Sequence, residues 1–390
     1  MYQTRGLIMS NRAQIQKIIK ETKNQNELSP FAYSNPNPTR KKAEKRIYSL
    51  RSEFAIDRDR ILYSGAYRRY QGKTQVFAFS NQIDEEMTNR SLHTTYVSQV
   101  SRTIGKVLGL NIDLIEAIAL GHDLGHTPLG HAGGRALSTI CKESGIGGFF
   151  HNIQSLQIVD NISIAGDGLN LSFPTRDGII FHDGQTKQKD IIPQKQRSEK
   201  NIQSYIKQMK EGENTVDYFP ATLEGCVVRQ ADTIAYLGQD LEDALRFGVL
   251  KKEDIPKDIK KFFGITNSQI INKLVESIIC SSYQKNQISL DDESFFYMKK
   301  LRVFNYKNIY TKKRDNREKL ERAMRIIFEK YLLDLEKKRY NSKIFKHFIN
   351  SKSTNYLQKF NNAEKVRDFI STMTDRYFNQ ELKEYIVFNY

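Results

Sequence analysis

The chain is poor in cysteine, poor in histidine and short of acid. Its three cysteines, Cys141, Cys226 and Cys280, stand far apart and are odd in number. That excludes a disulfide framework or a zinc knuckle and fits a reducing cytoplasm. No apolar run approaches the roughly 18 residues a bilayer span requires, so a membrane partner is not expected. The opening MYQTRGLIMS lacks the apolar core of a secretory signal. Beyond Pro256 there is no proline, and Gly264 is the one glycine, so the C-terminal part is free of the usual helix breakers. Acidic residues are outnumbered, 45 against 61 Lys and Arg, for a formal net charge of +16. Such an excess favours polyanions, whether nucleic acid, nucleotides or an anionic surface. A lysine-rich, solvated surface gives the same count, so charge alone does not separate these cases.

Strand-like alternation is rare, and helical periodicity is common, so the fold class is mostly α. Residues 1–50 read as a short helix near 10–23 followed by an extended arm, with a loop signal at 34–39, SNPNPT. Residues 51–250 carry nearly all the unusual chemistry and form the expected core. Within them, 183–217 is polar and basic and reads as a mobile insertion. Residues 251–390 read as a helical region packing on that core. Helices are expected over 93–109, with Val97, Val100, Ile104 and Val107 on one stripe, and over 111–126, with Leu114, Ile115, Ile118 and Ala119 inward. Two more are expected over 222–245 and 318–337. Gly109 reads as a C-terminal stop and Pro128 as a limit on continuation.

The chain has only seven histidines, yet HDLGHTPLGHAGG (122–134) holds three of them and an aspartate. His122 continues the buried stripe of its helix, with Asp123 beside it. His93 opens another helix about thirty residues earlier, and Asp232 interrupts an apolar face of a third. A single histidine is commonly a core or capping residue. Four such groups on three packed helices point instead to a divalent ion, which would offset the burial of two carboxylates.

This H…HD…D pattern resembles the HD phosphohydrolase superfamily, and the wider match is narrower in kind. DRDRILYSGAYRRYQGKTQVF (57–77), RSLHT (90–94), HDLGHTPLGHAG (122–133), GGFFHNIQSLQIV (147–159), LEGCVVRQADTIAYLGQDLEDAL (223–245) and VRDFISTMTDRY (366–377) resemble the deoxyguanosine triphosphate triphosphohydrolase family. The resemblance implies an HD-domain helical bundle elaborated with extra N- and C-terminal helices. It implies cleavage of a deoxynucleoside triphosphate into deoxynucleoside and triphosphate. By the same resemblance His93, His122, Asp123 and Asp232 bind the ion, expected as Mg²⁺ or Mn²⁺ with Fe or Zn as alternatives. His126, His131 and His151 match catalytic histidines of phosphate contact and proton transfer. Gln71, Lys73, Arg90, Tyr236 and Asp240 match substrate-binding positions, the last two near the deoxyribose. Arg58, Arg60, Arg68 and Arg69 read as structural or inter-subunit pairs, and Lys312, Lys313 and Arg314 as solvated or oligomer-contacting. A homo-oligomer, hexamer or tetramer, is implied, with single-stranded DNA as a further partner.

One departure stands out. Where the family carries an acid after HAG, this chain has Gly134. That acid is expected to orient an active-site histidine, and its loss can cost several powers of ten in rate. Three outcomes are open: a carboxylate from elsewhere, such as Glu143 or Asp84, substitutes; the enzyme is slow or works only when activated; or the catalytic machinery is decayed while nucleotide binding persists. A nucleotide-sensing or DNA-binding regulator with a degenerate site, and a different HD phosphohydrolase, are the other two readings.

Overall fold

In a computed structural model the protein is described at residues 14, 17–18, 28–44, 51–75, 88–184, 188–212, 218–310 and 317–387. Most of the helix expected near 10–23, together with Asp84, Lys312, Lys313 and Arg314, lies outside the described residues. The class is mostly α, and the described residues include one two-stranded antiparallel sheet, Asp190–Ile191 against Ile288–Ser289. No helix among the described residues is long and apolar enough to cross a membrane.

Four helices build the centre. Helix α1 (Glu53–Leu62) packs on α3 (Ile112–Gly121), which packs in turn on α2 (Arg90–Val107). The long α8 (Leu223–Arg246) lies across α2 and α3 and also contacts α6 (Phe173–Phe181) and α9 (Asn267–Ser282). Between them in sequence run α4 (Gly130–Glu143), α5 (His151–Gln157) and α7 (Glu199–Glu211). Three later helices, α10 (Asp292–Asn305), α11 (Arg317–Glu336) and α12 (Asn362–Ser371), precede α13 (Asp375–Val387). Helix α11 packs on α4, α12 and α13.

The local rules that start these helices are visible. Asn89 and Asn111 accept from Leu92 N at 2.9 Å and Leu114 N at 3.1 Å, capping α2 and α3. Thr222 does the same for α8 through Gly225 N at 3.1 Å. The expected stripe of α3 is fully buried at Leu114, Ile115, Ile118 and Ala119. The chain turns at Gly109 in the left-handed region, φ 67°. Helix α3 ends earlier than its periodicity suggested, at Gly121, so His122 caps it and Asp123 stands in the turn that follows.

Two apolar cores result, and each draws on both sides of residue 250. One holds Leu137, Ile140, Leu156 and Ile179 together with Met324, Ile327, Tyr331 and Phe369. The other holds Val97, Ile104, Leu114 and Val228 together with Leu274, Ile278 and Leu301. The site described below lies where α2, α3, α5, α6 and α8 meet.

The segment 183–217, read as a mobile insertion, is docked over its described part. Helix α7 buries Ile202 completely and Tyr205 almost so. Arg176 grips Glu199 at 2.7 and 2.8 Å and Asp160 at 2.7 Å. Paired with Arg176, Glu199 is held down at about 2 despite partial burial. Ile206 and Met209 pack beside them, so the four form a stripe at helical spacing that the polar composition of the segment masked, and a bidentate arginine fixes the helix start.

The DRDR motif is structural. Asp57, fully buried, accepts from Arg40 Nη1 at 2.5 Å, Ser172 N at 2.9 Å and Thr175 Oγ1 at 2.8 Å. It thereby ties the N-terminal arm to the start of α6. Arg58 pairs with Glu116 at 3.1 Å and Arg60 with Glu44 at 2.6 Å, both within the chain. Arg40 also pairs with Glu53 at 2.8 Å, so removing Asp57 takes away one of its two carboxylates and strands the buried donors of Ser172 and Thr175. Asp57→Ala is therefore expected to cost about 3–5 kcal/mol of unfolding free energy by chemical denaturation. A loss under about 1 kcal/mol would show that Glu53 alone satisfies Arg40 and that the stranded donors find other acceptors.

Candidate metal centre

Six of the seven histidines cluster, and five of them come within 4 Å of one carboxylate. The rings of His93 and His122 are 5.7 Å apart, those of His122 and His182 4.8 Å, and those of His182 and His151 5.3 Å. His126 stacks on His151 at 4.1 Å, and His131 stands 5.0 Å from His126. The seventh, His347, hydrogen-bonds Tyr377 elsewhere.

Asp123 is at the centre, and its two oxygens face different ways. Oδ2 lies 2.5 Å from Arg90 Nη1, 3.6 Å from His122 Nε2 and 3.9 Å from His93 Nε2. Oδ1 lies 3.0 Å from His126 Nε2, 3.8 Å from His182 Nε2 and 3.9 Å from His151 Nε2. Burial alone would push the Asp123 carboxyl up; His126, His122 and Arg90 around it outweigh that and hold it well below the usual range. On α8, Asp232 Oδ1 stands 3.0 Å from His93 Nε2 and 3.7 Å from His122 Nε2. Its carboxyl is held at about 2: burial pushes it up, and the hydrogen bond to His93 and the nearness of His122 pull it down.

The donor set fits an ion. His122 Nδ1 meets the Ala119 carbonyl at 2.7 Å. A carbonyl only accepts, so Nδ1 carries the proton and the lone pair sits on Nε2. That Nε2 is buried with no hydrogen-bond partner. Atoms about 2.1 Å from one ion stand about 3.0–3.4 Å from each other. His93 and Asp232 fall in that range at 3.0 Å, and His122 to Asp123, His122 to Asp232 and His93 to Asp123 lie beyond it at 3.6, 3.7 and 3.9 Å. Two imidazoles with two carboxylates suit Mn²⁺, Fe²⁺ or Zn²⁺ better than Mg²⁺, which prefers oxygen.

Backbone contact sets these side chains. Helix α5 lies directly on the HDLGH turn: Gly125 N donates to Ser155 Oγ at 2.8 Å, and Ser155 Oγ donates to His122 O at 2.6 Å. A Cβ on Gly125 would stand 2.2 Å from His151 O and from Ser155 N. The glycine pair after His131 divides in the same way. A Cβ on Gly133 would meet Pro128 O at 2.0 Å, whereas one on Gly134 would make only ordinary contacts at 3.8 Å with Phe149 and Thr127. Packing requires the first glycine and leaves the second free.

The C-terminal motif closes the loop from outside. Asp375 accepts from Leu129 N at 2.8 Å, and from Thr74 N at 3.0 Å and Thr74 Oγ1 at 2.6 Å. This holds Leu129 in the left-handed region at φ 63°, a conformation that costs about 1–3 kcal/mol unless its surroundings impose it. Lys73 Nζ donates to the carbonyls of His126 and, at 2.7 Å, Ser371. Burial pushes the Lys73 amine well below its usual range.

The sequence-predicted substrate residues are placed as follows. Arg90 is fully buried, with Nε and Nη2 lacking partners. Tyr236 stands one turn beyond Asp232 on α8, its hydroxyl pushed up to about 12 by burial. Asp240, a further turn on, is buried and accepts from Tyr310 OH. Gln71 is exposed, and Lys73 is committed to its two carbonyls. His131 is exposed at the mouth, while His126 is buried and pushed well below the usual histidine range by desolvation. Glu143, one expected substitute for the missing acid, pairs instead with Arg325 at 2.5 Å, away from the histidines.

Sequence reasoning missed His182, Asp183 and Tyr310. Asp183 Oδ2 lies 4.0 Å from His151 Nε2, making it a carboxylate beside the histidines that α4 does not supply. His182 Nδ1 meets the Ile179 carbonyl at 2.6 Å, and burial pushes its imidazole down to about 4. Its signal was present: in a chain with so few histidines, a histidine–aspartate pair at 182–183 was a second HD.

No family model matches the chain. Several curated proteins do. A deoxyguanosinetriphosphate triphosphohydrolase-like protein of Caldanaerobacter subterraneus subsp. tengcongensis is 34% identical over 359 residues, covering 92% of this chain and 91% of that one. A protein of the same description from Desulfatibacillum aliphaticivorans is 33% identical over 358 residues, 90% of this chain and 92% of that one. Another from Rickettsia felis is 31% identical over 394 residues, 90% and 97% of the two chains.

The buried Asp240 yields a pH prediction. Burial pushes its carboxyl up to about 7, with the Tyr310 hydrogen bond opposing and Asp243 and Asp232 adding. The folded state therefore holds this proton more tightly than the unfolded chain. The resulting penalty is absent near pH 4, grows as pH rises through about 7, and is complete above it. Asp240→Asn should melt above the parent protein at pH 8, with the gap closing near pH 4. A gap independent of pH would show that Asp240 is ionised in the fold throughout.

Proposed function

Because the chain belongs to the deoxyguanosinetriphosphate triphosphohydrolase-like family, we propose that it is a metal-dependent hydrolase that cleaves a deoxynucleoside triphosphate to deoxynucleoside and triphosphate. The observation that carries this reading is the buried His93–His122–Asp123 group with Asp232 3.0 Å from His93, the unpartnered His122 Nε2 and, beside it, an arginine with unpartnered donors. These four residues would hold the ion, Mn²⁺ before Mg²⁺, which would supply Lewis acidity to a phosphoryl oxygen and lower the pKa of a bound water.

The chain's own residues divide the remaining work. His122 is oriented from behind by the Ala119 carbonyl, while His93 Nε2 and Asp232 face each other at 3.0 Å as the two ligands of one side. Arg90 Nε and Nη2 are donors kept dry and unmatched, which an anionic phosphate satisfies. His126, His131 and His151 form a stacked path from Asp123 to solvent, suited to delivering a proton to the leaving 5′-oxygen. Tyr236 and Asp240, with Tyr310 behind them, line the side of α8 where the deoxyribose would lie. A close tyrosine there excludes a 2′-hydroxyl by contact. Gln71 stands at the mouth, and Lys73 braces the His126 backbone. The positive charge of the chain suits a polyanionic substrate, and single-stranded DNA and assembly into a homo-oligomer belong to the same reading.

The test is product analysis. The protein is incubated with each dNTP, singly and mixed, with Mn²⁺, and products are separated by chromatography. Deoxynucleoside with intact triphosphate is expected, and none from Asp123→Ala. Orthophosphate or a nucleoside monophosphate would place the chain among other phosphohydrolases. Saturable nucleotide binding without turnover would mark a spent site.

Gly134→Glu follows from the space at that position. A Cβ is accommodated there, and if an orienting acid limits the rate, kcat should rise roughly 10²-fold. An unchanged kcat would mean that the acid is already supplied from another element.

A further inference from the structure

Three features of the centre are left over when one ion is placed among His93, His122, Asp123 and Asp232. The first is Asp123 Oδ1, which faces away from that set, 3.0 Å from His126 Nε2, 3.8 Å from His182 Nε2 and 3.9 Å from His151 Nε2. The second is the pair His151 Nε2 and His182 Nε2, 3.3 Å apart. The third is Asp183, whose Oδ2 lies 4.0 Å from His151 Nε2. We infer that the protein binds a second divalent cation between Asp123 Oδ1, His151 and His182, with Asp123 bridging the two ions.

The argument rests on how His182 is built. It occupies the same position at the end of α6 that His122 occupies at the end of α3. Each caps its helix, and each gives its Nδ1 proton to the carbonyl three residues back, at 2.6 and 2.7 Å. This backbone contact fixes the tautomer and points a bare Nε2 inward, the usual preparation of a ligating histidine. The device is used twice, and the two rings are 4.8 Å apart. Arg229 secures the second copy, donating to the carbonyls of Phe181 and Asp183 at 2.7 Å each.

Spacing agrees. Atoms that share one ion stand about 3.0–3.4 Å apart, and the three donor atoms here are 3.3, 3.8 and 3.9 Å apart. They are two imidazoles and a carboxylate, all buried or nearly so, with Asp183 at the solvent edge to add charge. The set is hard enough for Mn²⁺ and nitrogen-rich enough for Zn²⁺ or Fe²⁺. Without an ion, the pair must share a proton along a 3.3 Å contact, which is long for a strong hydrogen bond. With an ion, His151 is a ligand, and the proton path of the proposed hydrolysis narrows to His126 and His131.

This inference rests on the first ion site, and the experiment separates the two. The full chain is stripped with chelator, reloaded with Mn²⁺ alone and freed of excess by gel filtration. Manganese per chain is then measured by elemental analysis, and low-temperature EPR reports coupling between ions. Two ions per chain with an exchange-coupled spectrum are expected. His182→Gln, checked for folding by circular dichroism, should fall to one ion with an uncoupled spectrum. One uncoupled ion in the parent protein overturns the second site and leaves the first standing. No bound manganese overturns both. Two coupled ions persisting in His182→Gln also overturn the assignment. The parent stoichiometry decides by itself should the variant not fold.

Discussion

The structure is organised around the cost of burying the Asp123 carboxylate. A lone carboxylate in this interior would be strongly destabilised, and the chain answers with Arg90 at 2.5 Å and five histidines within reach of its two oxygens. These groups come from several parts of the fold. Arg90 and His93 open α2, His122 and His126 flank the turn after α3, His151 begins α5 and His182 ends α6. The order of the helices in space follows from this convergence. The packing of α2, α3, α6 and α8 against one another is what brings the groups to one carboxylate.

Close backbone approach makes the convergence rigid. Helix α5 can rest on the HDLGH turn because Gly125 has no side chain, and the turn into α4 can close because Gly133 has none. The C-terminal helices then clamp the same loop. Asp375 holds Leu129 and Thr74, and Lys73 ties His126 to Ser371. Residues 246 positions apart therefore act together to keep a strained turn in place around the charged centre. Gly134, one residue beyond Gly133, carries no such load, since a Cβ there meets only ordinary contacts.

Charge and protonation follow burial in a consistent pattern. Carboxylates that face histidines, Asp123 and Asp232, are held low, whereas Asp240, facing a tyrosine hydroxyl and two other acids, is pushed up to about 7. One wall of the site is thus prepared for a cation and the adjoining wall for a neutral, hydrogen-bonding group. A phosphate bound at the first and a sugar at the second would match that division.

The sequence by itself determined the helices and the first half of the centre. The periodicity of 111–126 and 222–245 and the crowding of histidines into HDLGHTPLGH are local facts, because helical spacing acts over a few residues. They were enough to single out His93, His122, Asp123 and Asp232, though Asp123 stands in the turn after α3 and not on a helix. Only the tertiary structure decided the rest. His182 and Asp183 repeat the HD pair far along the chain from the motif, and only the packing of α6 on α3 brings that second pair to the first. Helix α7 carries an apolar stripe, Ile202, Tyr205, Ile206 and Met209, but the core it meets and the arginine that grips its start come from elsewhere in the chain. That one glycine of the pair is indispensable and the other free depends on a carbonyl of Pro128 arriving within 2.0 Å of one absent Cβ, and such an approach exists only once the chain has folded back on itself.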